Sequence, residues 1–166
     1  MKFDLQRFGD YERPSQDTTY RGNRRWSGNF GRVWVDGSLI FEISAFECTV
    51  TIDREEIIIS QSKDSKVVSL TGEGTLTIKR VFDRGFKEYL ENLKKGHDVR
   101  FTIIAALSDP DMIDAQEQRI QIENVYFNSI PIMKFAKGEV VEDELSFNFT
   151  PEDLSYISSV DIAASY

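Results

Sequence analysis

Residues 67–79 read Val-Val-Ser-Leu-Thr-Gly-Glu-Gly-Thr-Leu-Thr-Ile-Lys. Val68, Leu70, Leu76 and Ile78 share one parity, and Ser69, Thr71, Glu73, Thr75, Thr77 and Lys79 share the other. That period of two is a strand's. Gly72 and Gly74 occupy the apolar parity, where side chains would otherwise fill space, so another group is expected to approach closely there. The opposite face is wholly polar and rich in hydroxyls, which suits a solvated sheet face or the lining of a channel.

Upstream, Val33-Trp34-Val35 and Leu39-Ile40-Phe41 flank Asp36-Gly37-Ser38, a strong hairpin signal. Leu39, Phe41 and Ile43 alternate on one face, and Phe46, Cys48, Val50 and Ile52 on the other. A one-residue change of parity demands a bulge or bend, expected near Ser44-Ala45. Polar runs at Asp53–Glu56 and Gln61–Ser65 then bracket Ile57-Ile58-Ile59. This reads as a long excursion, about residues 53–66, rather than a tight hairpin. Three adjacent isoleucines fit an arm that packs on a partner, or a short strand that caps the domain's own core.

Downstream, Phe86, Leu90 and Leu93, with Phe82 and Tyr89 beside them, follow helical spacing over about residues 82–95. Asp83 is the expected N-terminal cap, and Lys94-Lys95-Gly96 the C-terminal signature. Further strands are expected over residues 99–107, 118–127, 130–135 and 141–149, the second with its own parity change from Ile120 and Ile122 to Val125 and Phe127. Ser108-Asp109-Pro110-Asp111 and Lys137-Gly138-Glu139 are turns. The fold class is therefore mainly β, formally α+β: an antiparallel β-sandwich or half-barrel of about seven or eight strands with one amphipathic helix. Residues 1–30 form an expected flexible N-terminal arm, 31–153 the β domain, and 154–166 a C-terminal tail.

The chain has 166 residues, 40% hydrophobic and 29% charged, enough for one domain with a substantial core. Its net charge of −8 argues against gripping nucleic acid by phosphate neutralisation. Within that acidic chain, Tyr20–Arg32 interleaves Arg21, Arg24, Arg25 and Arg32 with Trp26 and Phe30. Such a segment fits either an arm that orders against a neighbouring subunit or a single-strand nucleic-acid binder. No signal peptide or membrane span is expected, so the chain reads as soluble and made in the cytoplasm.

Chemistry is hard to find. Cys48, the single cysteine, lies in an apolar strand pattern and reads as an inert buried thiol. His97, the single histidine, follows Gly96 and reads as a loop residue, so no zinc site and no catalytic triad is expected. Gly72-Glu73-Gly74 lacks the lysine and serine of a phosphate loop. Glu142 and Glu144 share a strand face without a cleft, and Asp109, Asp111 and Asp114 lack the rest of a calcium loop. No catalytic residue, metal or cofactor is expected.

The order of these elements resembles a known family. The Gly-x-Gly strand of residues 67–79 leads into a helix ending Leu93-Lys94-Lys95-Gly96, followed by Ile120–Asn124 and Ile132-Met133-Lys134-Phe135. The chain then runs Glu142-Asp143-Glu144-Leu145-Ser146-Phe147-Asn148-Phe149. Over roughly Gly31 to Asp153 this resembles the tail tube proteins of contractile phages of the defective Bacillus prophage (PBSX-like) kind. Similar subunits occur in phage-tail-like bacteriocins. The first thirty residues depart from that pattern.

The resemblance implies a non-enzymatic subunit whose six-fold rings join sheets edge to edge and stack into a hollow tube. It implies sheath, tape-measure and baseplate initiator as partners, with DNA only passing through the lumen of a virion tail or tail-like particle. Glu47, Thr49, Thr51, Glu73, Thr75, Glu142 and Glu144 are then the lumen-lining candidates. Arg54, Glu55, Glu56, Ile57, Ile58 and Ile59, with Arg24, Arg25 and Trp26, are the candidates for contacts between subunits. The tube of a secretion or injection system shares this architecture. A nucleic-acid-binding module working through Tyr20–Arg32 is the alternative of a different class.

Overall fold

The computed structural model describes residues 25–82, 85–111 and 116–159. Its elements in chain order are β1 (Gly31–Val35), β2 (Ser38–Leu39), β3 (Ile43–Ile59), β4 (Ser62–Lys79), α1 (Phe86–Lys94), β5 (Phe101–Ser108), β6 (Glu117–Phe127), β7 (Glu142–Phe149) and β8 (Leu154–Ser158). All strand pairs are antiparallel, in the order β2-β1-β5-β6-β7-β4-β3, with β8 also on β6. β6 carries the sheet round a bend: its first half pairs with β5 and β8, and its last two residues pair with β7. The result is the expected half-barrel, with no ladder joining β3 to β1 among the described residues.

Both changes of parity read from the sequence are irregularities of the backbone. β3 shifts register between Ile43 and Ala45. On β6, Val125 pairs with Phe101 and Ile122 with Ile103, so the β6 side holds one extra residue, and Asn124 there has φ +53°. These bulges bend the strands enough for the two halves of the sheet to face each other over one core. Val33, Ile103, Ile122 and Val125 from one half meet Leu76, Ile78, Leu145, Phe147 and Phe149 from the other. The β1–β2 turn puts Asp36 and Gly37 at φ +47° and +78°, the conformation that Asp-Gly favours.

The close approach expected at the paired glycines is made by two phenylalanine rings. Gly72 lies opposite Phe149 on the β4–β7 ladder and Gly74 opposite Phe147. A Cβ on Gly72 would sit 2.5 Å from Phe149 Cε2, and one on Gly74 would meet both the Phe147 ring and the backbone oxygen of Glu47. The absence of side chains here lets both rings lie flat against β4.

Several boundaries differ from the sequence reading. Residues 53–66 are not an irregular excursion: β3 and β4 continue as one two-stranded ladder to Ile59↔Ser62, turning at Ser60 (φ +56°) and Gln61. The helix begins at Phe86, not near 82, because Gly85 at φ +78° starts it without a side-chain cap. Phe82 lies outside the helix and is exposed, and the proposed cap Asp83 lies outside the described residues. No strand forms at residues 130–135, where Pro131 lacks a donor and Arg80 takes the Pro131 and Ile132 carbonyls. The expected tail instead begins with β8 on β6. The folded domain also starts before residue 31: the Ser27 amide donates to buried Asp109 at 2.9 Å, and residues 28–30 form a 3-10 turn.

Asp143 stands on the core parity of β7 and is 3% exposed. Arg80 meets it with two donors, Nε to Oδ2 at 2.5 Å and Nη2 to Oδ1 at 2.9 Å, while also holding the 131–132 carbonyls. This fork fastens the 129–141 segment to the end of the sheet.

Two substitutions check this account. Gly74→Ala should lose about 1–3 kcal/mol of stability, read as a lower urea midpoint, because one of the atoms it strikes is backbone and cannot rotate away. Gly28→Ala, with nothing within 4 Å, is the neutral control. Arg80→Ala strands a buried carboxylate and should cost about 3–5 kcal/mol, with earlier proteolysis within residues 129–141. Lys63→Ala, from the exposed pair with Glu56, should change the midpoint little.

Candidate functional site

Two surfaces gather the candidate residues. The first is the face of β3, β4 and β7 turned away from the core. Cross-strand neighbours in an antiparallel ladder share a face, so register alone places the residues. Glu47, Thr75 and Ser146 form one row across the three strands. Thr49, Glu73 and Asn148 form the next, which Tyr126 of β6 extends. Thr51 pairs with Thr71, Thr77 with Glu144, and Lys79 with Glu142. All seven residues read from the sequence as one polar lining therefore lie on a single face, and all but half-buried Thr75 are exposed.

The face is acidic. Where β7 covers β4, Glu47, Glu73, Glu142 and Glu144 meet one cation on this face, Lys79, while Arg54, Lys63 and Lys66 lie farther out on the hairpin. Hydroxyls and amides hold its rows together: Ser69 Oγ donates to Asp53 at 2.7 Å, the Ser129 and Ser146 hydroxyls lie 2.9 Å apart, and the Asn128 amide donates to Asn148. Such a surface, with its carboxylates outnumbering Lys79, repels a polyanion.

The second surface is the outer part of the β3–β4 hairpin. β7 covers β4 only from Gly72 to Lys79, so everything beyond Gly72 is a free two-stranded arm. From Gly72 to Ser62 it runs roughly 33 Å, at about 3.3 Å per residue. Every residue from 51 to 71 is exposed, Ile58 by 74%. The contact candidates Arg54, Glu55, Glu56, Ile57, Ile58 and Ile59 all lie on this arm, away from the domain's own core, so the isoleucines do not cap it. The sequence reading missed Val68 and Leu70: their alternation assigned them to the core, yet they are exposed because β7 ends before reaching them. Of the N-terminal candidates, Arg25 is exposed and Trp26 half-buried, and Arg24 lies outside the described residues.

His97 is exposed in the loop after Gly96, its amide on the Asn92 carbonyl. Asp109 is occupied by the amides of Ser27 and Asp111, and among the described residues no cluster of His, Cys, Asp and Glu could hold a metal. Among them, too, no helix is long and apolar enough to cross a membrane. Cys48 lies half-buried opposite Gly74, and burial pushes its thiol up from the ordinary range. Its protonated form is therefore the native one: that contribution to stability is complete below the unfolded thiol's pKa, about 8.5, and fades as pH rises through the raised value. Native protein at neutral pH should accordingly react with a thiol reagent at least ten-fold more slowly than the chain in urea.

Known proteins identify the surfaces' setting. The family model described as Phage tail tube protein matches residues 18–156, so the arginine-containing stretch from Tyr20 lies inside the family pattern rather than outside it. The chain is 31% identical over 136 residues to the phage-like element PBSX protein XkdM of Bacillus subtilis (strain 168), spanning 78% of this chain and 92% of that one. The fold matches a chain of the sheath-tube complex of an extracellular contractile injection system in its extended state (TM-score 0.63, 9% identity, 81% of this chain and 93% of that one). It also matches the tube terminating cap of the anti-feeding prophage (TM-score 0.63, 9% identity, 81% and 92%). The chain belongs to the phage tail tube protein family, as a structural subunit of a tail tube.

Proposed function

We propose that six copies close into a ring whose sheets join edge to edge, and that rings stack into the hollow inner tube of a contractile tail. The observation that carries this is the outer edge of β3. It runs from Ile43 to Ile59 with no strand beside it among the described residues. An edge of that length, roughly 56 Å, is an aggregation template in a monomer and is consumed when a sheet closes through a neighbour. β8, which pairs with β6 alone among the described residues, leaves another edge, with Tyr156 and Ile157 exposed.

The acidic face of β3, β4 and β7 then lines the lumen. Glu47, Thr49, Thr51, Glu73, Thr75, Glu142 and Glu144 repeat around the ring as a wall along which DNA slides without adhering. The outer wall meets the sheath, the ends of the tube meet the baseplate initiator, and a tape-measure protein occupies the lumen during assembly. The role is one of architecture rather than catalysis, carried out in the tail of a virion or of a tail-like bacteriocin or injection particle. The likeness to injection-system chains favours the second setting equally, since the same tube serves DNA ejection and membrane puncture.

Negative-stain electron microscopy of the purified protein, alone and with its baseplate or sheath partner, tests this reading. Rings and hollow tubes of uniform width are the expected result. Tubes of a variant with Glu47, Glu73, Glu142 and Glu144 all changed to Lys should keep their width but retain DNA that wild-type tubes release at moderate salt. Monomers under every condition, binding single-stranded oligonucleotides with a steep salt dependence, would overturn the proposal in favour of a nucleic-acid-binding module.

A further inference from the structure

The half-barrel has an open mouth. Between the start of β3 and the sheet of β1, β5 and β6 lies a cleft of about 640 Å³, walled chiefly by Val33, Phe41, Ile43, Phe46, Leu107 and Ile120. Among the described residues no ladder joins β3 to β1 across it, and Phe41 is 81% exposed there. Gly28 and Asn29 also line it. A cleft of that size and lining holds bulky apolar groups.

The chain itself supplies an occupant. Met1, Phe3 and Leu5 share one parity, Lys2, Asp4 and Gln6 the other, and Phe8 follows. Extended, such a segment presents one apolar face, and each phenylalanine can bury about 150–250 Å². The described residues begin at Arg25, just before Gly28 on the cleft wall. Residues 10–24 between are mostly polar, and a chain of that length spans on the order of 20 Å without being extended. The tether therefore presents residues 1–9 to their own cleft at about millimolar effective concentration, far above a second copy in dilute solution. The family match begins at residue 18, so residues 1–9 lie outside the matched stretch.

We propose that residues 1–9 dock, apolar face inward, in the cleft between β1 and β3 of their own chain and there cover the start of the β3 edge. Ile43, Ser44, Ala45 and Phe46 line the cleft, and among the described residues no strand lies beside them on that edge. An extended segment laid along them gains main-chain hydrogen bonds as well as apolar burial. A covered edge cannot pair with a neighbour, so the segment must leave before a ring closes. The docking needs this chain alone, whereas the guarding of the edge rests on the ring reading above.

Hydrogen–deuterium exchange of the dilute full-length protein, read by mass spectrometry, tests the docking without any assembly. Residues 1–9 should exchange at least roughly ten-fold more slowly than the free peptide of the same sequence, whatever the protein concentration. Phe3→Asp with Leu5→Asp should abolish that protection and speed exchange at residues 41–46. Phe41→Asp, at a side chain too exposed for the fold to depend on it, should release the segment as well. Exchange as fast as in the free peptide overturns the docking. Protection that appears only on concentrating the protein puts a second copy in the cleft and overturns it too. By electron microscopy the Phe3→Asp, Leu5→Asp protein should form rings at a roughly ten-fold lower concentration than wild type, an edge no longer covered being free to pair. Rings at an unchanged concentration overturn the guarding of the edge. Absence of rings from both proteins defeats the ring reading and the guarding with it, while exchange still decides the docking.

Discussion

Everything in the sheet depends on how closely two rings approach one strand. Phe147 and Phe149 on β7 lie over Gly74 and Gly72 of β4, and the fully buried Phe147 also stacks on Phe46 of β3 at 6.0 Å. Three strands are thereby locked in one register by aromatic rings that need empty space where Cβ atoms would be. A slip by one residue would put Glu73 or Thr75 under a ring and turn the glutamates inward, so register and the polarity of the faces are specified together. The acidic surface is the unavoidable reverse side of this packing.

The same feature sets where the domain ends and the arm begins. β7 stops pairing at Phe149↔Gly72, so β3 and β4 continue beyond the last ring without a third strand. A lone two-stranded ribbon is marginal in water, and this one carries isoleucines and valines on both faces. The Glu56–Lys63 pair and the Ser69–Asp53 hydrogen bond hold it together, yet both are exposed and worth little. Among the described residues no third strand covers these apolar side chains beyond Gly72.

The end of β7 also explains what the sequence could and could not reveal. Parity located the bulges near Ser44 and Asn124, and Asp36-Gly37 located a turn, because each is a local rule. Parity also gathered the seven polar candidates on one face, since strand period and register leave no other place for them. It failed where the deciding partner is distant. Val68 and Leu70 alternate like core residues, and only the end of β7 exposes them. The turn at Ser60-Gln61 has no glycine or asparagine to announce it. Phe82 keeps the helical spacing of Phe86, but Gly85 starts the helix later. Asp143 sits on the apolar parity, and nothing nearby in sequence discloses that Arg80 supplies its partner.

The Arg80–Asp143 fork shows why an ion pair is retained at that position. Burying both charges is costly, and an apolar pair would fill the space at least as well. Oil-like side chains, however, could not accept and direct three strangers at once: the guanidinium binds a carboxylate on β7 and two carbonyls on the 131–132 segment with fixed angles. That fixed geometry ties the Pro131 and Ile132 carbonyls to the end of β4. The fork thus carries the order of the glycine-anchored sheet out to the 131–132 segment, which has no strand pairing of its own.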